Sequence, residues 1–215
     1  IMGKLSNSLL SGSFGRTGRL VVANVNGTEI LKHRPRKPTG NRNQKQLLIQ
    51  QRMVESYNFL SAYKHFATKF FGRKNGMRSA YNMAMSNIMS HFQLDFTLMQ
   101  ISILYPGIAF AKGSLLQPVI TGLVSAAANS FIIEWLDNSA GNAVRQTDLV
   151  QILYALEGET SSVFIENVAT RADGAYTAAL PPSWAGQPVH VWMGLLAADL
   201  EGVSNSVYAG SVVIS

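Results

Sequence analysis

The last hundred or so residues are cut into short β-prone runs at nearly even spacing, and this pattern restricts the fold more than any other feature. The runs cover 119–125, 130–136, 149–156, 162–168, 175–180, 189–197 and 207–214. Each is rich in Val, Ile, Leu and aromatic residues, which suit a pleated, half-buried surface. Asp-Asn-Ser-Ala-Gly-Asn, Glu-Gly-Glu and Ala-Asp-Gly stretches lie between them. Such residues reverse a chain through positive φ or by hydrogen-bonding their own backbone. Seven strands in about 100 residues point to a β-sandwich.

Three details agree with a fibronectin type III-like or immunoglobulin-like module. Trp135 falls on the second strand, Leu180-Pro-Pro precedes the sixth, and Val203-Ser-Asn-Ser-Val leads into the last. Sandwich edges invite pairing with other chains.

Upstream the strongest local signal is Asn26-Gly27 between Arg19-Leu-Val-Val-Ala-Asn-Val and Thr28-Glu-Ile-Leu-Lys-His-Arg. Asn-Gly is the preferred two-residue hairpin turn because both positions tolerate positive φ. The register it sets pairs Val25 with Thr28, Ala23 with Ile30 and Val21 with Lys32. Leu20, Val22, Leu31 and His33 fall on the other face, so both faces are partly apolar. A lone hairpin is marginal in water and has to dock on something.

Residues 32–45 read as a polar linker with two prolines and six Lys and Arg. A cap near Asn43 then opens a helix expected over 46–71, with Met53, Tyr57, Leu60, Lys64 and Ala67 at helical spacing. Gly72-Arg-Lys-Asn-Gly76 ends it. A second helix, 77–91, places Tyr81, Met85, Ile88 and Phe92 on one stripe, and Met77, Met83, Met85 and Met89 read as flexible core filler. Residues 96–104 and 107–112 are expected as strands. The fold class is therefore α+β: an N-terminal β-hairpin and two-helix region, then an all-β sandwich. A basic N-terminal domain over 1–113 and an acidic sandwich domain over 114–215 are expected.

Charge divides along the same line. Residues 1–94 hold 15 Lys and Arg against Glu29 and Glu55, whereas 95–215 hold three basic residues against ten acids. Such a dipolar chain suits an anionic partner at one end or head-to-tail contact between copies. Neutralisation of the two halves within one molecule is the plain alternative.

Chemistry-bearing motifs are scarce. Ser11-Gly-Ser-Phe-Gly-Arg looks like part of a glycine-rich nucleotide loop, but a kinase also needs a catalytic-loop Asp and a metal-binding Asp-Phe-Gly. No His-Arg-Asp occurs, and the Asp95-Phe96 pair is followed by Thr97. His33, His65, His91 and His190 are scattered and match no metal-ligand spacing. The chain has no cysteine, which removes disulfide and thiol chemistry and fits either redox compartment. No catalytic, cofactor or metal residue is assigned, and no enzyme activity is expected.

No apolar run reaches the roughly 18–20 residues of a spanning helix, and the opening Met2-Gly-Lys-Leu-Ser-Asn shows no signal-peptide pattern. A cell-surface, extracellular or phage-like setting is favoured over the cytoplasm.

Met2-Gly-Lys-Leu-Ser-Asn, the Ser13-Phe-Gly-Arg-Thr-Gly region, the Asn-Gly hairpin, Pro188-Val-His-Val-Trp and Val203-Ser-Asn-Ser-Val-Tyr-Ala-Gly together resemble an uncharacterised domain family common in Bacteroidota genomes. The resemblance covers nearly the whole chain and departs at Thr17, where compared members carry a hydrophobic residue. It implies an N-terminal helical part with a C-terminal sandwich and a bacterial or phage-associated origin, and it carries no activity to transfer.

Three functional expectations follow. The first is a non-enzymatic structural subunit that self-assembles as a surface filament, tube or phage-like particle. Its contact residues would be Leu20, Val22, Val25, Ile30 and Leu31, with the basic half of one copy meeting the acidic half of the next. The second is nucleic-acid or other anion binding through Lys32, Arg34, Arg36, Lys37, Arg42 and Lys45, whose charge would release counterions from phosphates. A solvated loop is the plain reading of the same segment. The third is an adhesive or glycan-binding module, with Trp184 and Trp192 as stacking residues, Trp192 fitting a core position better.

Overall fold

Four short strands pair at the N-terminus: β1 (Met2–Lys4), β2 (Gly15–Thr17), β3 (Leu20–Val25) and β4 (Thr28–His33). They form one antiparallel sheet in the order β1-β4-β3-β2. Val25 pairs with Thr28, Ala23 with Ile30 and Val21 with Lys32, the register a two-residue turn imposes. The computed structural model describes residues 2–6, 10–25, 27–35, 41–73, 76, 78–126 and 129–215, so Asn26 of the expected turn and Met77 of the expected helix lie outside the described residues. Gly12, Gly15 and Gly18 all take positive φ, and a Cβ at any of them would meet nothing within 4 Å. The glycine loop is built for backbone direction rather than close packing.

The helical layer begins where the sequence indicates. Asn43 caps α1 (Gln44–Ser61), and its side chain and that of Gln46 form a reciprocal capping box, satisfying backbone donors that the first turn leaves free. The single helix expected over 46–71 is in fact two, α1 and α2 (Lys64–Phe70), because Tyr63 leaves helical geometry at φ −115°, ψ 18°. That break delivers Tyr63, Phe66 and Phe70 to the core alongside Phe59 and Leu60. Of the expected stripe, Leu60 and Ala67 are buried, whereas Met53, Tyr57 and Lys64 are exposed, and Leu48 and Ser56 are buried on α1 instead. α3 (Ala80–His91) starts three residues later than expected, at a Ser79 cap whose hydroxyl accepts the Asn82 N–H. Met85, Ile88 and Phe92 are buried as the spacing indicates.

Two strands expected after α3 are corrected. Residues 96–99 form the turn of a hairpin between β5 (Phe92–Asp95) and β6 (Gln100–Ile103). The Asp95 carboxylate accepts the N–H groups of Thr97 and Leu98 and closes that turn. The 107–112 segment forms no strand: a 3₁₀ turn, Tyr105–Gly107, precedes an extended stretch whose one bridge joins Lys112 to Phe71.

The remainder is a fibronectin type III-like sandwich. β7 (Val119–Ser125), β8 (Ser130–Leu136) and β11 (Ala175–Ala179) make one sheet in the order β11-β8-β7. β9 (Leu149–Leu156), β10 (Val163–Ile165), β12 (Pro188–Leu196) and β13 (Val207–Val213) make the other, in the order β10-β9-β12-β13. Three strands thus face four, and Phe131, Ile133, Trp135, Val150, Ile152, Val191 and Met193 fill the space between.

β9 and β12 are buried almost throughout, because both faces of their sheet are covered. One face meets the other sheet. The opposite face, with Leu153, Ala155, Trp192 and Leu196, packs with Phe59, Tyr63, Phe66 and Phe110. The helices and the sandwich therefore share a hydrophobic cluster, and the molecule is layered helix, sheet, sheet. The outer face of β11-β8-β7 has no such cover among the described residues.

Candidate functional site

Among the described residues no three His, Asp or Glu side chains lie close enough to hold a metal ion. A groove of about 480 Å³ lies beside α1 and β6 and takes two carboxylates, Glu55 and Glu157, from its walls. Tyr105 lines it, accepting the Gly158 N–H at 2.8 Å and stacking on His190 at 3.6 Å. His190 Nδ1 shares a 2.7 Å hydrogen bond with the Tyr208 hydroxyl, and its buried Nε2 has no hydrogen-bond partner. Burial lowers the His190 pKa below the ordinary imidazole value, with the Glu157 charge opposing. The same burial raises Tyr105 and Tyr208. A neutral imidazole clamped between two neutral phenols is a wedge holding the 3₁₀ turn on the sandwich.

The N-terminal sheet is different. None of its residues belongs to either core cluster, and Phe14, next to β2, is 91% exposed. Antiparallel partners share a face. Arg16, Val21 and Lys32 form one rung, Ala23, Ile30 and Lys4 the next, and Val25 pairs with Thr28. All three strand cations thus lie on one face, around Val21, Ala23 and Val25. Leu20, Val22 and Leu31 lie on the other, with Glu29, which accepts the Gly12 N–H at 2.6 Å. Of the five residues expected to make contacts, Leu20 and Val25 are exposed and Val22 and Leu31 half-buried, whereas Ile30 is 4% exposed and presents no contact area.

The described cations of the basic segment have separate partners. Lys32 is on β4, Arg34 donates its backbone N–H to Arg19, Arg42 reaches Gln50 at 2.9 Å on α1, and Lys45 sits over the Phe96 ring at 5.7 Å. Arg36 and Lys37 lie outside the described residues. Among the described residues the ion pair within 4 Å is Arg171–Asp148, and both partners belong to the acidic half. Among the described residues, no cation of the first half comes within 4 Å of a carboxylate of the second.

Two residues not singled out from the sequence complete the picture. Glu134 is at the centre of the outer face of β11-β8-β7. Val119 pairs with Leu136, Gly122 with Glu134 and Ala175, and Val124 with Ile132 and Thr177. The Glu134 carboxylate lies across Gly122, 2.7 Å from where a Cβ would stand, so a side chain there would push the carboxylate aside. It is an acid between two apolar rungs, with no cation within 4 Å among the described residues. Arg171 is the second: fully buried, it holds Asp148, the Leu116 carbonyl and Asn138. Alternation of β8 against its core residues was the signal that places Glu134 outward; nothing local marks Arg171.

Trp192 is fully buried and donates to the Tyr105 carbonyl at 3.3 Å, which removes it from the glycan-stacking expectation. Trp184 is half-buried, edge-on to Tyr154 at 5.9 Å. No helix among the described residues is long and apolar enough to cross a membrane.

A family model described as a family of unknown function (DUF6266) matches residues 12–210. No curated protein matches the chain. Among solved structures the chain is similar to the fn3 domain of the human collagen α1(XX) chain, at 20% identity and a TM-score of 0.37. That match spans 48% of this chain and 90% of that domain.

Proposed function

The chain belongs to the family of unknown function DUF6266, and on that footing we propose that it is a non-enzymatic structural subunit that assembles with copies of itself. One observation carries the reading: a four-stranded sheet whose described residues enter neither core cluster keeps Leu20, Val25 and its cations exposed, with Ile30 buried. Exposed apolar surface of this kind marks an association site, and basic and acidic halves with no ion pair between them among the described residues steer copies head to tail. A contact between two different surfaces closes into a ring or propagates as a filament; a surface filament, a tube or a phage-like particle are the forms such an assembly takes.

Sedimentation velocity over a concentration series at low salt, with negative-stain imaging, tests this. Species larger than a monomer that shrink as salt is raised are expected. A strictly monomeric protein at every concentration defeats the reading.

The uncompensated cations also favour a second reading, binding of nucleic acid. It expects that replacing Arg34, Arg36 and Arg42 together by Ala weakens DNA or RNA binding and flattens its salt slope. Unchanged binding rejects it.

A further inference from the structure

We propose that the cationic face of the N-terminal sheet of one copy covers the outer face of β11-β8-β7 of the next, with Glu134 as the central anchor for Arg16 and Lys32. The inference rests on the self-assembly reading and names its two surfaces. The sandwich is covered unevenly: helices bury the outer face of β10-β9-β12-β13, and nothing among the described residues covers the outer face of β11-β8-β7. That bare face is apolar at both ends, with Val119 and Leu136 on one rung and Val124 and Ile132 on another. Val119, Val124 and Leu136 are each about half exposed.

Glu134 is the one charge on those rungs. A carboxylate set between apolar rungs and left without a cation is costly once water is removed, so the partner that covers this face has to bring a positive group. The N-terminal sheet has the complementary composition. Arg16, Lys32 and Lys4 surround Val21, Ala23, Ile30 and Val25, of which Ile30 is buried, Val21 and Ala23 half-buried and Val25 exposed, and none of the three cations has a carboxylate within 4 Å among the described residues. Two sheets pack face to face at about 10 Å by interdigitating such side chains. Because the two surfaces differ, each copy offers one of each and the contact repeats.

The absence of native cysteine makes the contact testable by cross-linking. A mixture of the Val25→Cys chain and the Val124→Cys chain is expected to yield a mixed disulfide dimer on mild oxidation, in excess of either homodimer. In parallel, Glu134→Lys is expected to raise the half-association concentration about tenfold or more, as for other charge reversals at an interface. Adding Lys32→Glu to that chain restores association by swapping the pair. Glu134 is exposed, so the thermal transition of each variant checks that folding is intact.

If the native chain associates but neither substitution nor cross-link reports this contact, the surfaces are wrong and the self-assembly reading stands. If the native chain stays monomeric, both fall. If a single-stranded DNA probe binds the native chain and Lys32→Glu abolishes that binding, while Glu134→Lys leaves association unchanged, the cationic face belongs to a polyanion and the docking proposal is overturned.

Discussion

The Asp148 carboxylate meets the Arg171 guanidinium at 2.7 Å with both side chains shielded from water. The pair joins the start of β9 to the 3₁₀ turn at Arg171–Asp173, and Arg171 also reaches the Leu116 carbonyl at 3.1 Å ahead of β7. The Trp135 indole N–H donates to the Arg171 carbonyl at 2.9 Å. One guanidinium thus ties three loops at one end of the sandwich.

Removing one partner leaves a buried charge without compensation, which costs about 3–5 kcal/mol. Asp148→Ala is expected to lose stability in that range, read from urea denaturation midpoints. The double variant Asp148→Leu with Arg171→Met recovers a large part, because an apolar pair has no desolvation to offset. A double variant no better than the single would show that the loops need the charges themselves.

Acid is expected to weaken the fold through His190. Burial holds its folded pKa below the ordinary value of 6.5. Above that value both folded and unfolded chains carry a neutral ring and the contribution is intact. As pH falls through it, the unfolded chain takes up a proton that the folded chain resists, and stability is lost. His190→Gln is expected to flatten the fall in denaturation midpoint between pH 7.5 and pH 5. An unchanged slope would assign the acid sensitivity to other groups.

Deleting residues 2–35 is expected to leave the thermal midpoint within a few degrees of the native chain, since no residue before Phe59 enters either core cluster. Self-association is expected to disappear in the same protein. A large drop in the midpoint would mean that the N-terminal sheet braces the layered core.

Gly113→Ala tests the seam between the helical layer and the sandwich. A Cβ at Gly113 would stand 2.0 Å from the Val203 carbonyl oxygen, a backbone atom that has no rotamer to change. The substitution is expected to cost about 1–3 kcal/mol, read from the same urea midpoints. Gly141→Ala, where the Cβ meets nothing but φ is +78°, separates strain from overlap: it should cost less.

Much of the local structure was legible because it depends on neighbours along the chain. The Asn-Gly register, the Asn43 cap and the bounds of β7, β8 and β9 follow from turn chemistry and short-range alternation. The break at Tyr63 was not legible, since no Gly or Pro marks it and its cause is burial of four aromatic rings against β9 and β12. Residues 96–99 likewise carry strand-forming side chains, but the Asp95 carboxylate captures two backbone N–H groups and turns them.

By itself, then, the amino-acid order determined that this protein would have a hairpin, a helical stretch and a sandwich, and that its charge would be split. Only the tertiary structure decided which sheet face the helices cover and which stays bare, and that, among the described residues, neither Glu134 on the bare face nor the cations of the N-terminal sheet have an ion-pair partner within 4 Å. The reason is physical: strand and turn preferences act over a few bonds, whereas burial and charge pairing depend on which remote segments come together.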